Sequence, residues 1–276
     1  MIEVRLASEP APGGGPNEDC AFAVPGLVGV LDGVTVPEGM DTGCVHGPAW
    51  YVRMLSGRLA DGYAADPGVR LDDLLARAIS EVSHAHGGGC DLTHPGTPAS
   101  TACLVGYGGD RLEYLVLADS PLVYQAAGRV EVVNDSRAQR VTRSLGERMP
   151  VDAPVGTPEH ASGVRELIAA QRGQINTPDG YWIASTDPAA AEHALTGTLP
   201  LAGPEAVRRV CLLTDGASRA VDTFDLYDWP GLLDAVAAHG PAHVIARVRA
   251  AERDARDRVR VKRHDDASAA LIEFGG

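Results

Sequence analysis

Acidic residues recur at four widely separated places where an apolar run gives out: Asn17-Glu18-Asp19, Leu31-Asp32-Gly33, Thr214-Asp215-Gly216 and His264-Asp265-Asp266. Carboxylates gathered at strand ends repel one another, so a fold that assembles them needs a cation to offset the repulsion. Oxygen-only donors favour Mg²⁺ or Mn²⁺ over softer metals. Any one cluster alone reads more readily as a turn, because Asp-Gly is a common turn dipeptide. Their joint arrangement is what points to a dinuclear metal site.

The elements that would position these acids are interleaved strands and helices. Apolar runs at 20–24 and 27–31, separated by Pro25-Gly26, predict a hairpin that ends at Asp32. A helix is expected from Pro48 toward Leu59, and a second where Leu71, Leu74, Leu75, Ala78, Ile79 and Val82 repeat at helical spacing, stopped by Gly87-Gly88-Gly89. Short strands at 101–107, 111–118, 122–125 and 130–133, joined by tight turns, predict an antiparallel meander. From Asn134 to about Thr177 the pattern weakens to a surface segment with one short helix near 164–171. Strands are expected again at 181–184 and 210–213, then helices at about 231–238 and 242–256, and a last strand at 267–274 just after Asp265. No repeat or low-complexity linker divides residues 1–276, so one domain is expected.

Composition narrows the function classes. The formal charge of -13 opposes non-specific attraction to nucleic acid or to an anionic membrane surface. No apolar run approaches the roughly 18 residues of a membrane span, and Met1-Ile2-Glu3-Val4-Arg5 lacks the pattern of a signal peptide. Cys20, Cys44, Cys90, Cys103 and Cys211 are odd in number, scattered and without a CxxC pair, which reads as reduced thiols in a cytoplasmic protein.

The order Asn17-Glu18-Asp19, strand, Asp32-Gly33, two helices, Ala99-Ser100-Thr101-Ala102, strand, Leu117-Ala118-Asp119-Ser120, Thr214-Asp215-Gly216, helices and Asp265-Asp266-Ala267-Ser268 resembles the metal-dependent protein phosphatases of the PP2C family. The resemblance spans nearly the whole chain and rests on the succession of motifs, each weak by itself. It implies an α+β fold, a four-layer α-β-β-α sandwich of two antiparallel sheets flanked by helices. It also implies roles. Asp32 would bridge two Mn²⁺ or Mg²⁺ ions, with the Gly33 carbonyl completing one of them. Asp215 and Asp265 would finish the first ion, and Asp265 is preferred to Asp266 because the following Ala-Ser keeps the family register. Glu18 and Asp19 would hold the second ion directly or through water, and Asp119 with Asp215 is a candidate for a weaker third. Ions that share a water lower its pKa and so supply a hydroxide to attack phosphorus, with Asp32, Asp215 and Asp265 as the catalytic set.

The implied activity is hydrolysis of a phosphoserine or phosphothreonine protein, with two alternatives left open: a small phosphorylated metabolite as substrate, or a pseudophosphatase that binds a phosphorylated partner without turnover. Three departures bear on that choice. The family's phosphate-clamping arginine falls at Gly14, its paired glycines after Asp-Gly are Val34-Thr35-Val36-Pro37, and the arginine of its Gly-Asp-Ser-Arg is Pro121. Backbone N–H groups of the glycine-rich loop, Arg5, Arg137 or Arg140 are the candidate replacements.

Other residues read more plainly. His84, His86, Cys90 and His94 match no standard zinc spacing. The arginines from Arg137 to Arg148 read as a solvated face, and Trp50, Trp182 and Trp229 as core anchors. The stretch from Asn176 to Trp182 is expected to overhang the cleft.

Overall fold

The computed structural model describes residues 1–13, 15–37, 39–151, 153, 157–254 and 264–275. Ten strands are described: β1 (Ile2–Glu9), β2 (Asp19–Val24), β3 (Leu27–Asp32), β4 (Ala102–Gly108), β5 (Arg111–Leu117), β6 (Leu122–Ala126), β7 (Arg129–Val133), β8 (Leu195–Pro200), β9 (Val207–Leu213) and β10 (Ala267–Phe274). They form two five-stranded antiparallel sheets, ordered β1-β10-β9-β6-β7 and β2-β3-β4-β5-β8. The central strands are apolar on both faces because each sheet is covered twice. Val28 and Val30 of β3, Cys103 and Val105 of β4, Val210 and Leu212 of β9, and Ala270 and Ile272 of β10 meet between the sheets. Their alternate neighbours face outward into helices.

Seven α-helices are described. On the second sheet, α1 (Pro48–Ala65) and α2 (Leu71–Ala85) bury Tyr51, Leu55, Leu59, Leu75 and Ile79 against Leu27, Leu31, Leu104 and Leu115. On the first, α5 (Asp215–Asp222), α6 (Trp229–His239) and α7 (Pro241–Asp254) cover Cys211, Leu213, Ala269 and Leu271. Two more, α3 (Arg137–Arg148) and α4 (Pro158–Arg172), pair with each other, and Gln171 Nε2 donates to Thr142 Oγ1 over 2.9 Å. The layer order is therefore α-β-β-α, the expected fold class. No described helix is long and apolar enough to cross a membrane.

Several expectations need correction. The meander is not one sheet: β4 and β5 lie in the second sheet while β6 and β7 lie in the first, so the Ser120-Pro121 turn carries the chain between layers. The 134–177 segment holds two helices rather than one short one. Both were faint because they bury little: α3 buries only Ala138 and Leu145, and α4 only Arg172. Residues 181–184 form no strand and make only bridges, Tyr181 to Ile175 and Ala184 to Ser100. β1 and β8 are edge strands that were not expected: β8 has Thr, Gly and Pro and no continuous apolar face, whereas β1 does alternate Ile2, Val4 and Leu6 with Glu3 and Arg5 and was missed. The short α5 buries Gly216, Ala217, Ser218 and Ala220, too small a set to carry a hydrophobic stripe. The end of the helix expected at 242–256 and the glycine at position 14 lie outside the described residues.

Candidate metal centre

The antiparallel order places the end of β3, the end of β9, the start of β2 and the start of β10 at one end of the sandwich, where the two sheets part. Asp19 and Asp32 are cross-strand partners, so their side chains share a face. The Asp32 backbone is pinned on both sides: its N–H donates to Thr101 Oγ1 over 3.1 Å, and its carbonyl accepts from Thr101 N over 2.9 Å. Gly33 follows at a point of close approach. Its N–H donates to the Glu18 carbonyl over 2.9 Å, and a Cβ there would sit 2.6 Å from that oxygen, so only glycine lets β2 and the β3 end meet.

Asp215 enters from the other sheet in the first turn of α5, and its N–H donates to Asp32 Oδ2 over 3.4 Å. The helix start is held by Thr214, whose hydroxyl donates to Asp19 Oδ2 over 2.7 Å and accepts from Ser268 N over 2.9 Å. Gly216 is obligatory for packing, since a Cβ would overlap the Asp266 carbonyl. Asp119 arrives from the β5–β6 turn through a left-handed residue, Ala118, with φ of 63°. That conformation is costly for a residue with a Cβ, and the Ala118 N–H is anchored to Asp135 Oδ2 over 3.3 Å.

Asp32, Gly33, Asp119, Asp215 and Asp265 all line one cleft of about 440 Å³. The two adjacent acids of the last cluster divide their work. Asp266 is buried and accepts from Ala11 N through Oδ1 and from Glu18 N through Oδ2, each over 2.6 Å. Asp265 faces the cleft. Glu18 and Asp19 are not among the residues that line the cleft, but Glu18 accepts over 2.6 Å from the hydroxyl of Thr35, which does.

The electrostatics of the gathered acids are those of a site built for cations. Burial first, then Asp215, Asp19, Asp265 and Asp119, hold the Asp32 carboxyl well above the usual range. Burial also raises Asp19, offset in part by the Thr214 hydrogen bond and reinforced by Asp215, Asp266 and Asp265. Asp119 is pushed up to about 7 by burial and Asp215. Carboxyls that must hold protons to coexist are carboxylates that a divalent cation would stabilise, and an all-oxygen donor set fits Mn²⁺ or Mg²⁺.

Sequence reasoning missed one cleft residue. Arg172, the last residue of α4, lines the cleft beside Val164, Ile168, Tyr181 and Ile183, yet is only 3% exposed. Its Nη2 makes long contacts of 3.4 and 3.5 Å to the Val34 and Thr35 carbonyls, while Nε and Nη1 have no partner. Burial pulls its pKa below the ordinary arginine value. In the sequence it looks like any basic residue at a helix C-terminus, just past the short helix expected at 164–171, which the structure extends back to Pro158. The three arginines expected from sequence are engaged elsewhere or turned away. Arg5 pairs with Glu273 at 2.5 Å, Arg137 with Asp135 at 2.6 Å, and Arg140 is exposed along a separate cavity with Arg148 and Asp179. Of the 176–182 stretch only Tyr181 lines the cleft, joined by Ile183 just beyond it.

Solved structures similar to this chain share its fold. The PPM Ser-Thr phosphatase MsPP from Mycobacterium smegmatis, solved with cacodylate, is 19% identical with a TM-score of 0.57, covering 99% of this chain and 98% of its own. The catalytic domain of the serine threonine protein phosphatase PstP, solved with two manganese ions, is 16% identical with a TM-score of 0.58 over 99% and 97%. Serine/threonine phosphatase Stp1 from Staphylococcus aureus is 11% identical with a TM-score of 0.63 over 100% and 96%. No protein-family model and no curated protein sequence matches the chain.

Proposed function

With the fold of the PPM/PP2C Ser/Thr phosphatases as the premise, we propose that this protein is a metal-dependent phosphomonoester hydrolase acting on phosphoserine or phosphothreonine in proteins, and that residues 1–276 form one catalytic domain. The observation that carries the reading is the convergence of Asp32, Asp119, Asp215 and Asp265 in a cleft that also holds an under-satisfied buried arginine. Asp32, the Gly33 carbonyl, Asp215 and Asp265 would hold one Mn²⁺ or Mg²⁺ ion. Asp32 would be shared with a second, held also by Glu18 and Asp19, and Asp119 with Asp215 would hold a third. Such ions supply Lewis-acid activation of water and neutralise charge on phosphoryl oxygens.

The chain's own residues do the rest. Arg172 offers two free donors to the phosphoryl oxygens, so the group that sequence comparison expects at Gly14 is supplied from the C-terminal end of α4. A buried guanidinium whose hydrogen bonds are long carbonyl contacts, with Tyr181 and Glu18 near it, gains from an anion placed beside it. Ala138, Val164 and Ile168 give the cleft an apolar wall, which excludes water from the bound ester and strengthens its polar contacts.

The test is hydrolysis of an aryl phosphate and of phosphoserine and phosphothreonine peptides, with Mn²⁺ and with chelator, by the wild type and by Asp32→Ala. Mn²⁺-dependent turnover lost in Asp32→Ala is expected. Absence of metal-dependent turnover on every substrate would overturn the enzyme reading and leave a protein that binds phosphorylated partners.

A further inference from the structure

A second cluster of metal-binding side chains lies on the helical layer of the other sheet face, built from two loops far apart in sequence. Cys44 and His46 sit in the connection from β3 to α1, and Cys90 follows the 3-10 turn Gly87–Gly89 that ends α2. Their donor atoms form a small triangle. Cys44 Sγ and Cys90 Sγ are 3.2 Å apart, and each is 3.5 Å from His46 Nδ1. With Zn–S near 2.3 Å and Zn–N near 2.0–2.1 Å, a tetrahedral angle sets an S-to-N edge of roughly 3.5 Å and an S-to-S edge of roughly 3.8 Å. The two mixed edges match, and the third closes with a small side-chain rotation.

The surroundings hold this triangle in place. The His46 ring stacks on Trp50 of α1 with centroids 4.0 Å apart, and its backbone N–H donates to Cys44 Sγ over 3.3 Å. The two loops are already joined, since Asp91 N donates to the Gly43 carbonyl over 2.7 Å. His86, at the end of α2, supplies an independent pointer. Its ring is 4% exposed and stands edge-on to His46 with centroids 5.2 Å apart. Its Nδ1 lies 2.9 Å from the Val82 carbonyl, which accepts and so must face an N–H, leaving the lone pair on Nε2. That Nε2 is buried with no partner. An imidazole with one nitrogen donating to a backbone carbonyl and a bare lone pair on the other is the usual state of a metal-ligating histidine.

We propose that Cys44, His46 and Cys90 bind a Zn²⁺ ion, with His86 shifting toward them to present Nε2 as the fourth ligand while its Nδ1 stays on the Val82 carbonyl, and that the ion clips the β3–α1 connection to the end of α2. Two thiols and two imidazoles are a soft donor set suited to Zn²⁺ and unlike the all-oxygen cleft. On binding, the two thiols release their protons and the sulfurs bind as thiolates. The ion fixes the path of the chain from Gly33 to the start of α1. A disulfide between the same cysteines would instead consume both sulfurs and leave the two imidazole nitrogens without a ligand.

Cobalt substitution tests this without reference to phosphatase activity. The full chain, reduced and freed of metal, is titrated with Co²⁺ under anaerobic conditions. One equivalent is expected to give a thiolate-to-cobalt charge-transfer absorption with intense tetrahedral visible bands, bleached by Zn²⁺. Those bands should persist in Asp32→Ala, which disrupts the oxygen site alone, and vanish in Cys44→Ser and in Cys90→Ser. Zn²⁺ affinity should fall at least about tenfold in His86→Ala. A reduced wild type that shows no thiolate band overturns the proposal, as does a band that survives in the Cys44→Ser/Cys90→Ser double variant. Because a blank wild-type spectrum is decisive without any variant, a serine variant that fails to fold does not shield the idea.

Discussion

The Thr214 hydroxyl donates to the Asp19 carboxylate over 2.7 Å and so joins the start of α5, which carries Asp215, to the first residue of β2 in the opposite sheet. This bond is part of what keeps the two halves of the acidic site in register. Thr214→Val keeps the shape and removes the donor, leaving Asp19 buried without it. A loss of about 1–3 kcal/mol in chemical denaturation is expected, with Mn²⁺ affinity falling by roughly tenfold or more in calorimetric titration.

Asp265 and Asp266 are adjacent and predict opposite phenotypes. Asp266→Asn cannot accept with both side-chain atoms, so one backbone N–H, of Ala11 or Glu18, loses its partner; stability should drop by about 1.5–3 kcal/mol. Asp265→Asn should leave the denaturation midpoint of the metal-free chain unchanged or raised, because it removes one of the repelling charges, while abolishing Mn²⁺-dependent turnover. Equal stability losses in the two variants would contradict this division.

Arg172→Ala separates substrate binding from metal binding. Loss of a charge-assisted contact costs roughly 1.5–3 kcal/mol, which is about 10- to 100-fold in KM for a phosphate ester or in inhibition by inorganic phosphate. Mn²⁺ affinity should hold or rise, because a positive charge near Glu18 is removed. Stability should hold or rise, since the variant removes a buried charge with weak contacts. An arginine that served only packing would give the reverse pattern, with lower stability and an unaltered KM.

The metal-free chain should lose stability as pH rises. Asp119 holds its proton up to about 7 in the fold, and Asp32 and Asp19 are also raised, whereas an unfolded aspartate releases its proton near 3.9. Between those values the native state binds more protons than the unfolded one, so their contribution is full below about pH 4 and lost through about pH 7. Each such group adds a slope of up to roughly 1.4 kcal/mol per pH unit in that window. Thermal melts with chelator should therefore fall across it by more than melts with Mn²⁺, and Asp119→Asn should flatten the chelated series.

The acidic site was largely legible in the sequence because each acid ends or begins an apolar strand, and those strands are apolar on both faces. Asp32 after Leu27–Leu31 and Asp265 before Ala267–Phe274 are marked by their neighbours as much as by their own type. Arg172 was not legible, because a short helix was expected at 164–171 but nothing in the type or spacing of the next residues marks the arginine at its end as buried in the cleft. Weak burial also hid α3, and the edge strand β8 lacked an apolar face to mark it. The sulfur and imidazole cluster was half visible: His86 and Cys90 stood out, but their partners Cys44 and His46 lie across α1 and α2 in sequence and meet them only through the packing of those helices on the second sheet.

One carboxylate, that of Asp266, grips the chain at both Ala11 and Glu18, with the glycine-rich stretch between the two grips. Material added between those grips is thus mechanically insulated from Glu18 and from everything beyond it. Doubling the length of such a closed segment costs only about 0.6 kcal/mol. The stretch is consequently a natural port for an inserted tag or binding peptide, while the acids that line the cleft stay in place.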